Sequence, residues 1–281
     1  MTQNKRVSVI IPNFNYARFL NQAIESVLNQ SYQNVELIVV NNGSTDNSLE
    51  VLSKYHFRLK IIDQKNLGQS GARNSGLLIA TGEYIAFLDA DDFWEPSKLQ
   101  KQVDIISASC ELVYCGIAPF NNENSERRPI ISPKYSGNCS DYFVDLPGAS
   151  IVLSGESTAL FSRELLQRVG LFDVELNSTA GWDFFRRCSR YTEFNYVNES
   201  LVNYRLHSAN MSNSSKGVIQ DMRLAYSKLF SDKNWDVSKE SEAKIRKSLE
   251  WSFLKTCIKD LELKLAVMSI FKLFQLISKL G

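Results

Sequence analysis

From residue 7 onward the chain alternates short apolar runs with segments whose apolar residues recur at helical spacing. Val7–Ile11 is an apolar run of strand type, and the segment Phe19–Leu28 places Ala23, Ile24 and Val27 on one face, which predicts a helix. The same alternation predicts a strand at Val35–Val40, a helix at Asn47–Tyr55 and a strand at Leu59–Ile62. A helix from about Ser70 to Ala80 ends at Thr81-Gly82, where glycine suits a left-handed cap, and Tyr84–Leu88 reads as the next strand. Strands that are apolar throughout and separated by helices predict a parallel sheet covered on both faces.

Ligands of such sheets sit beyond the carboxyl ends of the strands. The polar punctuation falls at that edge: Pro12-Asn-Phe-Asn15 after the first strand, Asn41-Asn-Gly-Ser-Thr-Asp46 after the second, Asp89-Ala90-Asp91-Asp92 after the fourth. Two ionised carboxylates a few ångströms apart repel by several kcal/mol at an effective dielectric of about 20, so an Asp-x-Asp at a strand exit suits a divalent cation holding a diphosphate. Taken alone, the acids fit a turn and helix-cap cluster equally well, and Asp46 fits an ordinary helix N-cap. Arg73, following Gly68 and Gly71, can reach the same edge with a donor fork suited to phosphate or base oxygens; a solvated surface arginine is the alternative.

The 281 residues are 44% apolar and 22% charged, enough for one substantial core and a smaller appendage. A net charge of +1 gives no global field for nucleic acid. The five cysteines lack metal-ligand spacing and read as reduced thiols in a cytoplasmic protein. The polar first six residues predict no signal peptide, and no run of 18 apolar residues predicts a spanning helix.

Several stretches together resemble the inverting glycosyltransferases of family 2, which have the GT-A fold. They are Val7-Ser-Val-Ile-Ile-Pro-Asn-Phe-Asn15, Ala23-Ile-Glu-Ser-Val-Leu-Asn-Gln30, Asn42-Gly-Ser-Thr-Asp46, Gly71-Ala-Arg-Asn-Ser-Gly76 and Gly82-Glu-Tyr-Ile-Ala-Phe-Leu-Asp-Ala-Asp-Asp-Phe-Trp-Glu-Pro96. A weaker likeness continues through Gly170-Leu-Phe-Asp173, Gly181-Trp-Asp-Phe-Phe-Arg-Arg187 and Val202-Asn-Tyr-Arg-Leu-His207 to about Ser212. The resemblance implies an α/β, Rossmann-like, mostly parallel sheet flanked by helices over residues 1–215. About 1–109 would bind the nucleotide-sugar and 110–215 would form the acceptor side, with a helical extension over 216–281. It implies nucleotide-sugar contacts from Pro12, Phe14, Asn41, Asn42, Arg73, Asp89 and Ala90. It also implies a Mn2+ or Mg2+ ion at Asp91 and Asp89, completed by His207, whose other reading is a structural histidine at a strand end.

Two departures from the family pattern stand out. Members usually carry Asp-Asp-Gly-Ser where this chain has Asn41-Asn42-Gly43-Ser44, so an amide replaces the carboxylate that accepts from the uracil N–H. The acidic pair that supplies the family's base falls at Ala180-Gly181, which carries no carboxylate. Asp183 is the nearest candidate, but two residues further on it points roughly 200° away on a regular helix. Either the helix starts later, or Asp183 is structural, or the base comes from elsewhere, such as Glu156 or Glu175; Asp183 is taken first.

The carboxyl-terminal third reads as helical from about Ile219 to Phe230 and from Ser238 to Lys279. Lys264, Lys272, Gln275 and Lys279 share a face beside Leu265, Phe271, Phe274, Leu276 and Ile277. That pattern suits a peripheral membrane contact at the inner face of the cell membrane, or a helix packed on the domain, or a homodimer contact. The segment Asn121–Gly148 reads as a loop over the acceptor side. The combined expectation is transfer of a sugar, from a UDP-sugar by first choice, to a saccharide hydroxyl that can be lipid-linked, in bacterial surface-polysaccharide assembly. A sugar-phosphate nucleotidyltransferase and a non-catalytic nucleotide-sugar-binding relative are the alternatives.

Overall fold

Because neighbouring apolar strands in this chain are joined through helices, they can lie side by side in the same direction, and four of them do. In the computed structural model these are β1 (Val7–Asn13), β2 (Val35–Asn42), β3 (Lys60–Gln64) and β4 (Tyr84–Phe87). The structure describes residues 5–121, 126–145, 155–208 and 215–259, together with Leu265, Met268, Ser269, Lys272, Leu273 and Gln275. β1 is the centre of this half: Val7 pairs with Val35 of β2 on one side and with Tyr84 of β4 on the other, both parallel.

Three helices cover these strands: α1 (Ala17–Leu28), α2 (Ser48–Ser53) and α3 (Gly68–Ile79). α1 buries Phe19, Leu20, Ala23, Ile24 and Val27, the stripe its spacing predicts. Each large side chain of that stripe contributes about 1.5–3 kcal/mol by leaving water. α3 lies close to the sheet at Gly76, where an added Cβ would come within 2.4 Å of Ile10 Cγ2.

Beyond β4 the chain forms β5 (Phe93–Trp94), α4 (Lys98–Ile105), β6 (Leu112–Asn121), α5 (Ser140–Asp145), a 3-10 turn (Gly155–Thr158), β7 (Leu160–Ser162), α6 (Arg163–Val169), α7 (Ala180–Cys188) and β8 (Phe194–Leu206). The eight strands take the order β3-β2-β1-β4-β7-β6-β8-β5. β7 runs antiparallel to both β4 and β6, and β5 antiparallel to β8, so the sheet is parallel at one side and mixed at the other. Antiparallel neighbours escape the run-of-helix crossover that parallel ones need, which is why the strand–helix alternation does not reveal them. The expected loop over Asn121–Gly148 is also broken, by the short helix α5.

Contacts divide the chain into two compact units. The first, with the sheet, comprises residues 1–140, 150–175 and 181–207; the second comprises residues 141–149, 176–180 and 208–281. The second unit thus starts at Ser208 and recruits two earlier segments, where the sequence places one boundary near 215. It contains α8 (Ser215–Ser231) and α9 (Lys239–Lys259). Asp221 on α8 holds one recruited segment by accepting from the Thr179 amide at 2.7 Å and from the Asn177 amide. In the tail, Leu273 is buried with Phe253, Leu254 and Cys257, and Leu265 packs beside them. That part of the tail's apolar face is therefore used within the unit; Lys264, Phe271, Phe274, Leu276, Ile277 and Lys279 lie outside the described residues. No helix among the described residues is long and apolar enough to cross a membrane. All five cysteines are buried thiols outside any disulfide.

The α3–β1 approach makes Gly76→Ala destabilising. Alanine gains up to about 1 kcal/mol of helix propensity, but overpacking against Ile10 costs about 1–3 kcal/mol. Denaturant titration is expected to show a net loss, and the double variant with Ile10→Ala should cost less than the two single changes added together.

Candidate active site

The order β3-β2-β1-β4 reverses its direction of growth between β1 and β4, and the crevice at such a reversal lies beyond the carboxyl ends of the strands. The loops there are tied to one another. Asn15, at a left-handed φ of 59°, donates its amide to Ser44 Oγ at 3.0 Å and accepts the Thr45 amide on its Oδ1 at 2.7 Å. Asn13 Nδ2 reaches Ser44 Oγ at 3.2 Å and Asn41 Oδ1 at 3.4 Å. Pro12 pairs with Val40 inside the sheet, and Phe14 is left exposed at the mouth.

The two asparagines differ in what they leave available. Asn42 is saturated: its Oδ1 accepts from Gln64 Nε2 and the Leu67 amide, and its Nδ2 donates to Asn66 Oδ1 and the Gly68 carbonyl. Its side chain clamps β2 to the start of α3, so the structure gives it a scaffolding place behind the edge. Asn41 donates to Asp63 Oδ1 at 2.8 Å. Asp63, on exposed β3, thus sets a carboxylate beside the Asn41 amide. The register Asn41↔Asp63 was not readable before the strands were paired.

Arg73 is not a surface residue: it is only 1% exposed. Its fork spans two carboxylates, with Nη2 3.1 Å from Asp89 Oδ1 and Nη1 2.7 Å from Glu156 Oε1. The Phe172 ring lies 5.5 Å below the guanidinium. The Asp89 amide donates to Ser157 Oγ at 3.0 Å, and Trp94 Nε1 donates to the Ser157 carbonyl at 2.9 Å. The 3-10 turn at Gly155–Thr158 is therefore bonded directly to the acidic loop. Ala90 is buried between the acids.

The three acids have separate surroundings. Asp92 is fully buried and accepts the Arg205 amide at 3.0 Å. Burial, then the charges of Asp91 and Asp89, push its carboxyl well above the usual range. Asp91 lies with its Oδ2 3.0 Å from His207 Nε2, which brings β4 and the end of β8 together across 116 residues. Burial first and the Asp89 charge second raise the Asp91 carboxyl, and His207 opposes the rise. The His207 ring sits against Tyr16 and Phe19, with centroids 5.6 and 5.3 Å away. Among the described residues, no three His, Cys, Asp or Glu side chains form a metal cage of their own. The pair Asp91 and His207, with Asp89 alongside, nonetheless fits a Mn2+ or Mg2+ ion that takes its other positions from phosphate and water. Carboxylates raised by burial and then by one another's charge are the chemistry such an ion relieves.

Asp183 has no free oxygen to offer. It is 4% exposed, and its carboxylate takes Arg186 Nη2 and Arg187 Nε, each at 2.8 Å. Arg187 continues to the carbonyls of Val169 and Leu171. Since α7 begins at Ala180 and is regular from there, a delayed helix start does not rescue the expected role: Asp183 faces the α6–α7 connection as part of a buried ion-pair network. Phe184 stacks on Phe172 at 4.4 Å on that side. Glu175 is exposed on a loop, its amide bonded to Asp173.

The family model for glycosyl transferase family 2 matches residues 8–170. The chain belongs to this family. An uncharacterized glycosyltransferase of Nostoc sp. (strain PCC 7120) is 35% identical over 73% of this glycosyltransferase and 66% of its own length. One from Rickettsia prowazekii is 30% identical over 76% and 68% respectively. This chain therefore spans about two thirds of the length of these curated relatives. Among solved structures, S. aureus TarS 1-349 in complex with UDP-GlcNAc gives a TM-score of 0.71 at 19% identity, covering 96% of this chain and 81% of that one. The mannosyltransferase PcManGT from Pyrobaculum calidifontis, in complex with GDP-Man and Mn2+, gives 0.66 at 18%, covering 96% and 82%. The architecture is thus the GT-A fold, a mixed α/β sheet flanked by helices with a helical carboxyl-terminal region.

Asp183→Ala in this glycosyltransferase removes the carboxylate shared by two guanidiniums, one of them buried. Breaking such a pair costs about 3–5 kcal/mol. Chemical denaturation is expected to show that loss, with Asp183→Asn milder because an amide oxygen still accepts a hydrogen bond.

Proposed function

We propose that the protein transfers a sugar from a nucleoside-diphosphate donor to a hydroxyl acceptor, with inversion at the anomeric carbon. The observation that carries the reading is the meeting of Asp89, Asp91, Arg73 and His207 at the carboxyl edge beside the β1/β4 reversal. Pro12 and the exposed Phe14 follow β1 at this edge, and Asn41 and Asp63 bring polar groups to it. Asn41 gives its N–H to Asp63, and its Oδ1, which already takes Asn13 Nδ2 at 3.4 Å, keeps a second lone pair for a nucleobase N–H. This supports uracil recognition through an amide backed by a carboxylate, and a UDP-sugar as donor. The structural relatives were solved with UDP-GlcNAc and with GDP-Man and Mn2+, which supports the donor class.

A divalent cation held by Asp91 and His207, with Asp89 beside it, supplies neutralisation of the leaving diphosphate when bound. The protein's own residues keep that region fixed: Arg73 holds Asp89, and Arg205 holds the loop through its amide to Asp92 and Nε to the Asp91 carbonyl at 2.7 Å. Preorganised charge of this kind costs no rearrangement during the reaction. The resemblance extends the reading to a saccharide acceptor of surface-polysaccharide assembly.

A panel of UDP- and GDP-sugars assayed for nucleoside-diphosphate release tests the proposal. Release is expected with Mn2+ or Mg2+, to stop with chelator, and to fall on the order of 100-fold or more in Asp91→Asn. Pyrophosphate release from nucleoside triphosphates would point to a nucleotidyltransferase. Nucleotide-sugar binding with neither transfer nor slow hydrolysis would point to a non-catalytic binder.

A further inference from the structure

The start of α7 contains a substitution in space that the chain order conceals. Gly181 has no side chain, and a Cβ built there would lie 2.8 Å from both Cδ and Oε1 of Glu156 and 2.9 Å from Oε2. The Glu156 carboxylate therefore occupies the volume that any side chain at position 181 would need. It comes from the 3-10 turn before β7. That turn is fixed on three sides, by the Asp89 amide on Ser157 Oγ, by Trp94 on the Ser157 carbonyl and by Gln102 Nε2 on the Thr158 carbonyl at 2.8 Å.

The two buried carboxylates near α7 differ in their free capacity. Asp183 has both oxygens occupied by guanidiniums. Glu156 has Oε1 on Arg73 Nη1, and among the described residues no second cationic side chain pairs with it. The same guanidinium carries Asp89 on its other nitrogen, so Glu156 stands one arginine fork away from the Asp-x-Asp loop. A carboxylate anchored through one oxygen by a single guanidinium is the arrangement of a proton acceptor held in a fixed orientation. Burial raises its carboxyl above the ordinary glutamate value and Asp89 adds to that, with Arg73 opposing.

We infer that Glu156 is the general base of the transfer, supplied from the turn before β7 to a place where Gly181 leaves room for it. This rests on the glycosyltransferase reading above. In the step, the acceptor hydroxyl proton passes to Glu156 Oε2 as the acceptor oxygen bonds to the anomeric carbon. The bond from that carbon to the diphosphate oxygen breaks, and its electron pair leaves with the nucleoside diphosphate.

The test compares wild type with Glu156→Gln, which keeps the shape and an acceptor for Arg73. Transfer is followed with the donor and acceptor that support wild-type turnover, and UDP affinity with Mn2+ by calorimetry. The expected result is a fall in kcat on the order of 100-fold or more, with UDP affinity and donor KM within a few fold of wild type. A residue that merely neutralises Arg73 would instead change UDP affinity and melting temperature and leave kcat intact. A second variant moves the carboxylate back: Glu156→Gly combined with Gly181→Asp should recover at least tenfold over Glu156→Gly alone, whereas Gly181→Asp by itself should lower the melting temperature by crowding Glu156. Turnover of Glu156→Gln within a few fold of wild type, or no recovery in the double variant, overturns the assignment. A wild type inert on every donor overturns the underlying function instead.

Discussion

A buried guanidinium joins the parts of this site that the chain order keeps apart. Arg73 comes from α3, Asp89 from the end of β4 and Glu156 from the turn before β7, and the fork of Arg73 touches both carboxylates. At 1% exposure the arginine has surrendered its hydration, a penalty of several kcal/mol that only well-placed partners repay. Each partner therefore fixes the other. If Glu156 is withdrawn, Arg73 retains half its compensation; if Asp89 turns away, the acidic loop loses its anchor. The glycine at 76 that lets α3 approach Ile10, and the glycine at 181 that leaves room for Glu156, are both consequences of bringing these elements so close.

The same economy explains why three successive acidic positions can coexist behind β4. Asp92 is withdrawn into the interior against the Arg205 amide, Asp89 is held by Arg73, and Asp91 faces His207. Their mutual repulsion is divided among three different partners, and the charge that remains is directed at the crevice. On the proposed reading, a cation and a diphosphate would complete that balance.

Much of the first hundred residues was legible because the signals are local. The stripe of α1 and the apolar runs of β1, β2 and β4 depend only on period and composition, and the polar loops at their carboxyl ends then share an edge by necessity. What stayed hidden depends on register and on contacts between distant residues. Asp63 reaches Asn41 only through the β2–β3 pairing, and Asn42 is seen to be a clamp only once Gln64, Asn66 and Leu67 surround it. Asp183 was nearest in sequence to the missing carboxylate, yet two residues along a helix is a different face, and arginines at i+3 and i+4 claim it. Glu156 lies 25 residues before Gly181, and nothing local to either position announces their contact. In the tail, Leu273 is buried against Phe253 and Leu254, a contact that the period of the sequence does not announce.

On the proposed function, the edge formed by Asp89, Asp91 and His207 holds a divalent cation with the donor diphosphate. Crystals grown with UDP and Mn2+, with anomalous data collected at the manganese edge, test it most directly. One strong anomalous peak is expected within coordination distance of Asp91 and His207, with diphosphate density against it. A manganese peak elsewhere, or UDP bound in the crevice with no anomalous signal beside Asp91, would contradict it.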